Sequence, residues 1–137
     1  MSKKSDERET PNELFEELHK EFNFQYDLAA SDNLHKLPNY FTKENSAFKY
    51  NWIGNNFCNP PYSDIKPWLY YATKQKALTV FILPCDTSTG WFHNYLWDKK
   101  LHCPRINVHL RFPQGRYKFS NINSPKFATI IAIIDNR

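Results

Sequence analysis

The sequence predicts an α/β domain built on a mixed sheet, parallel at its centre with an antiparallel C-terminal edge. Three observations predict it. Short apolar runs at Asn56-Phe57-Cys58 and Thr79-Val80-Phe81-Ile82-Leu83 alternate with helix-period segments, as buried parallel strands do. The end of the chain is strand-rich, and Phe127 to Ile134 is its strongest β-type run. A length of 137 residues suits one domain, and 41% hydrophobic content with 11 Phe, 8 Tyr and 4 Trp supplies a sizeable core.

Each element has its own signal. Residues 1–9 are charged and read as a disordered tail, leaving 10–137 as the domain. Thr10-Pro11-Asn12-Glu13 reads as a helix start, with Thr10 as cap, Pro11 at the first helical position and Glu13 completing a capping box. Leu14, Phe15, Leu18 and Phe22 then share a face, so a helix spans about 11–22. Phe24 to Ala29 reads as a short strand with Asp27 near its end, and 31–44 as irregular. Ser63 caps a helix of about 64–76, with Pro67 in its first turn and Trp68, Leu69 and Ala72 inward. Thr87-Ser88 opens another helix through about Asp98. Arg105 to Phe112 alternates Ile106, Val108, Leu110 and Phe112, as a half-buried strand does. Pro113-Gln114-Gly115 turns the chain, and Arg116 to Phe119 pairs back as a hairpin.

Composition narrows the function classes. With 3 Gly against 9 Pro, the chain is neither collagen-like nor Gly-rich, and a Gly-rich phosphate loop is not expected. Mean hydropathy is −0.69, and no apolar run reaches the ~18 residues of a membrane helix. The first eight residues lack the apolar stretch of a secretory leader. Cys58, Cys85 and Cys103 are an odd, spread set without Cys-x-x-Cys spacing, which suits free thiols in a cytoplasmic compartment. The histidines form no ligand pairs with them, so no metal is expected.

Charge is asymmetric. The first 50 residues hold 10 of the 14 acids, whereas Lys99 to Lys126 carries seven basic residues and no acid. Such asymmetry suits a polyanion partner for the C-terminal part, or else a solvated basic face.

The chemistry is expected at Phe57-Cys58-Asn59-Pro60-Pro61-Tyr62-Ser63, where an apolar strand runs into a stiff turn before a helix. In open α/β sheets ligands sit beyond the carboxyl ends of strands. The prolines give up their N–H groups but keep their carbonyls, and Pro60 holds Asn59 extended. The resulting rim suits attack by the exocyclic amine of a nucleobase. That amine is a poor nucleophile because its lone pair is delocalised into the ring. Acceptors at both N–H groups localise the lone pair and stabilise the positive charge that grows during attack. Asn59 Oδ1 and the Pro60 carbonyl can be those acceptors, and Tyr62 can stack on a base that has left the helix. A rigid turn without a ligand is the competing reading.

The chain resembles the phage-type DNA N-6-adenine methyltransferases, the phage Dam family. The resemblance runs from about Thr10 to Ile134 and rests on an ordered set of stretches: Thr10-Pro11 with Leu14-Phe15; Phe22-Asn23-Phe24 with Tyr26-Asp27-Leu28-Ala29-Ala30-Ser31; Tyr40-Phe41-Thr42-Lys43-Glu44 with Ala47-Phe48 and Trp52; the Asn59-Pro60-Pro61-Tyr62 motif with Trp68; Leu83-Pro84, Asp86-Thr87 and Trp91-Phe92-His93; and Gly115-Arg116-Tyr117-Lys118-Phe119. It implies a Rossmann-like methyltransferase fold, S-adenosylmethionine as donor and duplex DNA as substrate. Asp27 and Ala29 would lie near the cofactor, with Thr10 and Pro11 flanking its methionine end. Asn45-Ser46 are neutral where the family usually has an acid, and the Asn45 amide can hydrogen-bond the cofactor adenine. Arg111, Arg116 and Lys118 are the candidate phosphate contacts.

The implied function is methyl transfer to the adenine N-6 amine of DNA by base flipping. Two alternatives stand beside it. One is a catalytically silent module that binds DNA, cofactor or a host protein; the neutral Asn45-Ser46 pair and the absence of Gly between Leu28 and Gly54 suit it. The other is transfer to a different planar amine, for which the same rim would serve.

Overall fold

The computed structural model describes residues 9–115 and 127–137. The tail expected over 1–9 lies outside them except for Glu9, and so does the hairpin expected at Arg116–Phe119. The elements in chain order are α1 (Asn12–Phe22), β1 (Tyr26–Asp27), a 3-10 turn (Ala47–Lys49), β2 (Asn55–Cys58), α2 (Lys66–Thr73), β3 (Leu78–Pro84), a π-helical turn (Phe92–Leu96), β4 (Trp97–Asp98), β5 (Cys103–Pro104), β6 (Val108–Arg111) and β7 (Thr129–Asp135).

Five strands form one sheet in the order β1-β2-β3-β7-β6. β1, β2 and β3 are parallel, and β7 is antiparallel to both β3 and β6. The mixed sheet is as expected, but the last strand is interior rather than an edge. β7 is apolar on both faces, so burial between β3 and β6 suits it.

Strand alternation sorts the core into two layers. Phe57, Val80, Ile82, Ile131 and Ile133 face α1, packing with Leu14, Phe15 and Leu18. Cys58, Phe81, Leu83, Ile130 and Ala132 face Leu69 and Ala72 of α2 and Phe92 and Leu96 of the π turn. A period of two along the strands thus meets a helix on each side. His19 is clasped between Phe15 and Phe24, with ring centroids 5.4 and 5.8 Å away, and its Nδ1 accepts the Phe24 N–H at 3.0 Å.

Several expectations need correction. Thr10 does not cap α1 and no capping box forms. Pro11 takes the cap position at φ −54, ψ 135, and no side chain caps the helix. With Pro11 at the cap position, Thr10 stands one residue too early, and its hydroxyl accepts from Asn59 Nδ2 instead. α2 begins at Lys66, later than a Ser63 cap implies. The helix expected over 87–98 is a short π turn followed by a two-residue strand that pairs with β5. Asp98 Oδ1 accepts the N–H groups of Lys100 and Leu101, which turns the chain there. The strand expected over 105–112 is confined to 108–111. Asn107 sits at φ 65, and Ile106 and Phe112 lie exposed at 89% and 56%.

Candidate active site

The register places the carboxyl ends of β1 and β2 side by side, with Asp27 paired to Phe57. β1 runs into the small residues Ala29-Ala30-Ser31, and β2 runs into Asn59-Pro60-Pro61. Between them opens a cleft of about 430 Å³, lined by Leu28, Ala29, Ala30, Ser31, Leu34, Thr42, Lys43, Glu44, Ser46, Phe48, Asn59, Pro61 and Trp68. A smaller recess beside it is lined by Thr10, Asp27, His35, Lys36, Phe57 and Asn59 among others. Ala29, Leu34 and Asn59 line both, so the two cavities share a wall.

Small residues after β1 let the backbone approach the cleft closely. On the far wall, Ser46 caps the 3-10 turn by accepting from the Phe48 N–H at 3.2 Å. That turn presents Phe48, whose ring lies 4.4 Å from Trp68 of α2. Trp52 stands behind them, buried, its Nε1 donating to the Ala47 carbonyl at 3.1 Å. Leu28, Leu34, Phe48 and Trp68 give the cleft an apolar face. Ser31, Thr42, Glu44 and Ser46 give it polar groups.

Asp27 is 4% exposed. Its Oδ2 accepts the Lys36 N–H at 2.9 Å, while the Lys36 ammonium turns to Glu9 and Asn12. Burial outweighs the backbone N–H bonds from Lys36 and Ala29, and raises the carboxyl to about 6 from 3.8. Cys58 is wholly buried on β2; burial, with the Asp27 charge, pushes its thiol well above the usual range. It is therefore not a nucleophile. Among the described residues no cluster of His, Cys, Asp or Glu could hold a metal ion, and no helix is long and apolar enough to cross a membrane.

Asn59 Nδ2 donates to Thr10 Oγ1 at 3.0 Å. Thr10 thus sits against the motif at hydrogen-bond distance, 49 residues away in sequence. Pro60 is buried and Pro61 half-buried. Tyr62 does not line the cleft. Its hydroxyl donates to the Ile82 carbonyl at 3.3 Å, and its ring meets Phe127 edge-on at 5.5 Å.

The family model for DNA N-6-adenine-methyltransferase (Dam) matches residues 1–129. The chain belongs to this Dam family. One curated relative, the DNA N-6-adenine-methyltransferase of Haemophilus phage HP1 (strain HP1c1), is 35% identical over 101 residues, which are 66% of this chain and 58% of the relative. The chain thus spans less than two thirds of that relative's length. No solved structure matches.

In this Dam-family chain the structure gathers Thr10, Asp27, Ala29 and Asn59 around adjoining cavities. It does not bring Asn45 into them. The Asn45 Oδ1 accepts from the Tyr50 hydroxyl at 2.8 Å, and the cleft is lined by its neighbours Glu44 and Ser46 instead. Glu44 thus places a carboxylate in the cleft lining beside the neutral pair at 45–46. Arg111 lies toward the same end of the sheet but on the opposite edge strand, four positions from β1, or about 19 Å at ordinary strand spacing. Its guanidinium is paired with both carboxylate oxygens of Glu21 and lies over the Phe22 ring at 5.4 Å. Arg116 and Lys118 lie outside the described residues. Sequence reasoning missed Lys36, Glu44 and Phe48 as site residues; the last two sit in stretches that carry the family resemblance, and Lys36 has no such signal.

Proposed function

We propose that this chain transfers a methyl group from S-adenosylmethionine to the exocyclic N-6 amine of adenine in DNA, with the base flipped out to the Asn59-Pro60-Pro61-Tyr62 rim. The carrying observation is the position of Asn59 on the wall shared by two cavities at the ends of β1 and β2. Family membership and the phage relative's name support the same reading. The parallel β1-β2-β3 half, with helices on both faces, suits a Rossmann-like methyltransferase fold.

The residues present fit the cofactor. A volume of about 430 Å³ is within the ~300–1,000 Å³ of small-molecule sites. Phe48, Trp68, Leu28 and Leu34 offer an apolar wall for a planar adenine, and Glu44 and Ser46 offer acceptors at its rim. Asp27 is a buried carboxyl that accepts the Lys36 backbone N–H, suited to the donor groups of the cofactor's polar end. When bound, S-adenosylmethionine supplies an electrophilic methyl group on a positively charged sulfur. The chain supplies the acceptors. Asn59 Oδ1 and the Pro60 carbonyl draw the two amine hydrogens and hold the developing positive charge. No strong base is required, because the methylated ammonium loses its proton to water. Arg116 and Lys118 are the proposed phosphate contacts, and Arg111 serves as one only by leaving Glu21.

The test is transfer of a labelled methyl group to unmethylated DNA, followed by digestion to nucleosides. The wild type is expected to yield N-6-methyl-2′-deoxyadenosine. Asn59→Ala is expected to lower kcat about 10²–10³-fold, the usual cost of one preorganised electrostatic partner, while cofactor binding persists. Label in another nucleoside would replace adenine as target. No label, with cofactor or DNA binding intact by calorimetry, would make the chain a silent binding module.

A further inference from the structure

Thr10 is 2% exposed, and its hydroxyl accepts from Asn59 Nδ2 at 3.0 Å. The segment that carries it is pinned on both sides by one ammonium. Lys36 Nζ donates to Glu9 Oε1 at 3.2 Å and to Asn12 Oδ1 at 2.6 Å. The backbone N–H of Lys36 is bound in turn to Asp27 Oδ2 at 2.9 Å. The strap over residues 9–12 is therefore tied to the end of β1, and it delivers one hydroxyl to the motif.

We propose that Thr10 is a positioning residue that sets the roll of the Asn59 amide. This rests on the adenine-methylation reading above. A carboxylate at position 59 would present two equivalent acceptors to a substrate amine. An amide presents one acceptor and one donor, and the two are nearly the same shape. With Nδ2 toward the substrate, donor would face donor and the amine would lose one of its two acceptors. In the roll seen here the Thr10 hydroxyl accepts from Nδ2 and Oδ1 is turned away from Thr10; since a hydroxyl can also donate, Thr10 holds that roll by giving its own proton to another acceptor. The motif's Asn thus needs a partner from outside the motif, and the strap brings that partner.

Thr10→Val keeps the shape and burial of the side chain but removes the acceptor, and Thr10→Ser restores it. Thr10→Val is expected to lower kcat for methyl transfer roughly tenfold, the value of one hydrogen bond to a polar group. The KM for DNA and the Kd for S-adenosylmethionine should stay within about twofold, as for an interaction that acts in the transition state. Thr10→Ser is expected to recover most of the lost rate. A second readout needs no turnover. The Asn59 side-chain amide resonances, assigned by their loss in Asn59→Asp, should exchange with solvent more slowly in the wild type and Thr10→Ser than in Thr10→Val, by about tenfold. An unchanged kcat in Thr10→Val, a loss not recovered by Thr10→Ser, or equal amide exchange in all three would overturn the role. So would a raised cofactor Kd with unchanged kcat, which would make Thr10 a cofactor contact. A wild type that transfers no methyl group overturns the adenine-methylation reading and this role with it; an active wild type matched by Thr10→Val overturns this role alone.

Discussion

At the scale of single residues, Asp27 carries the largest electrostatic cost in the site. Its carboxyl is raised to about 6 from 3.8 by burial. The folded state therefore holds the proton more tightly than the unfolded chain does. The contribution of Asp27 to stability is therefore most favourable below pH 3.8, falls as pH rises between 3.8 and about 6, and is least favourable above that window. Asp27→Asn keeps the shape and removes the charge. Denaturant melts of the pair are expected to show Asp27→Asn more stable by up to about 3 kcal/mol at pH 7.5, with the gain shrinking as pH is lowered through the window. Cofactor affinity should move the other way and weaken at pH 7.5. A site residue that costs stability but serves binding is a familiar pattern at functional sites. Melts that are equal at both ends of the window would show that solvent reaches the carboxylate.

At the scale of elements, Gly54 controls the entry to β2. It lies at φ 69, and a Cβ there would stand 1.7 Å from Gln25 Oε1, the atom that accepts the Asn55 N–H. Gly54→Ala is expected to destabilise the fold by about 1–3 kcal/mol in urea melts, from the positive φ and the displaced Gln25 together. Lys36→Met should release the strap over 9–12. Its expected stability cost is about 1 kcal/mol, since Glu9 is well exposed, and faster amide exchange at Asn12 to Leu14 would locate it. The legible elements were those that carry their own period. α1 repeats Leu14, Phe15 and Leu18 on one face, and β3 and β7 are continuous apolar runs, so local pattern and tertiary burial agree. The segment 87–98 was not legible. Its aromatic residues satisfy a helix or a strand pattern equally, and Asp98 captures backbone N–H groups that a continuing helix would have used. At the site the motif was readable because Asn59, Pro60, Pro61 and Tyr62 are contiguous. Its partners were not, because Thr10 and Lys36 reach it only through the tertiary fold, and the cap chemistry expected of Thr10 competed for the same hydroxyl.

At the scale of the whole molecule, the cleft lies at one edge of the sheet and Arg111 on the other, and DNA bound as proposed would have to span both to reach Arg111. Arg111 is already held by Glu21, whose carboxyl the guanidinium keeps below its usual range. Salt titrations of DNA binding are therefore expected to change little in Arg111→Gln. Arg116→Gln and Lys118→Gln should each flatten the slope of log K against log salt by about 0.9, one phosphate contact apiece. A slope altered by Arg111→Gln as much as by the other two would mean that DNA displaces Glu21. The tryptophans are spread unevenly through this architecture: Trp52 is buried behind the 3-10 turn, Trp91 and Trp97 surround the π turn, and Trp68 alone of the four lines the cleft. The protein thus carries a built-in optical reporter. A purine that enters beside Phe48 would stack within reach of the Trp68 indole and dim its emission, so the cofactor can be titrated by ultraviolet fluorescence without any label. Trp68→Phe should erase most of that signal while leaving an apolar wall in place.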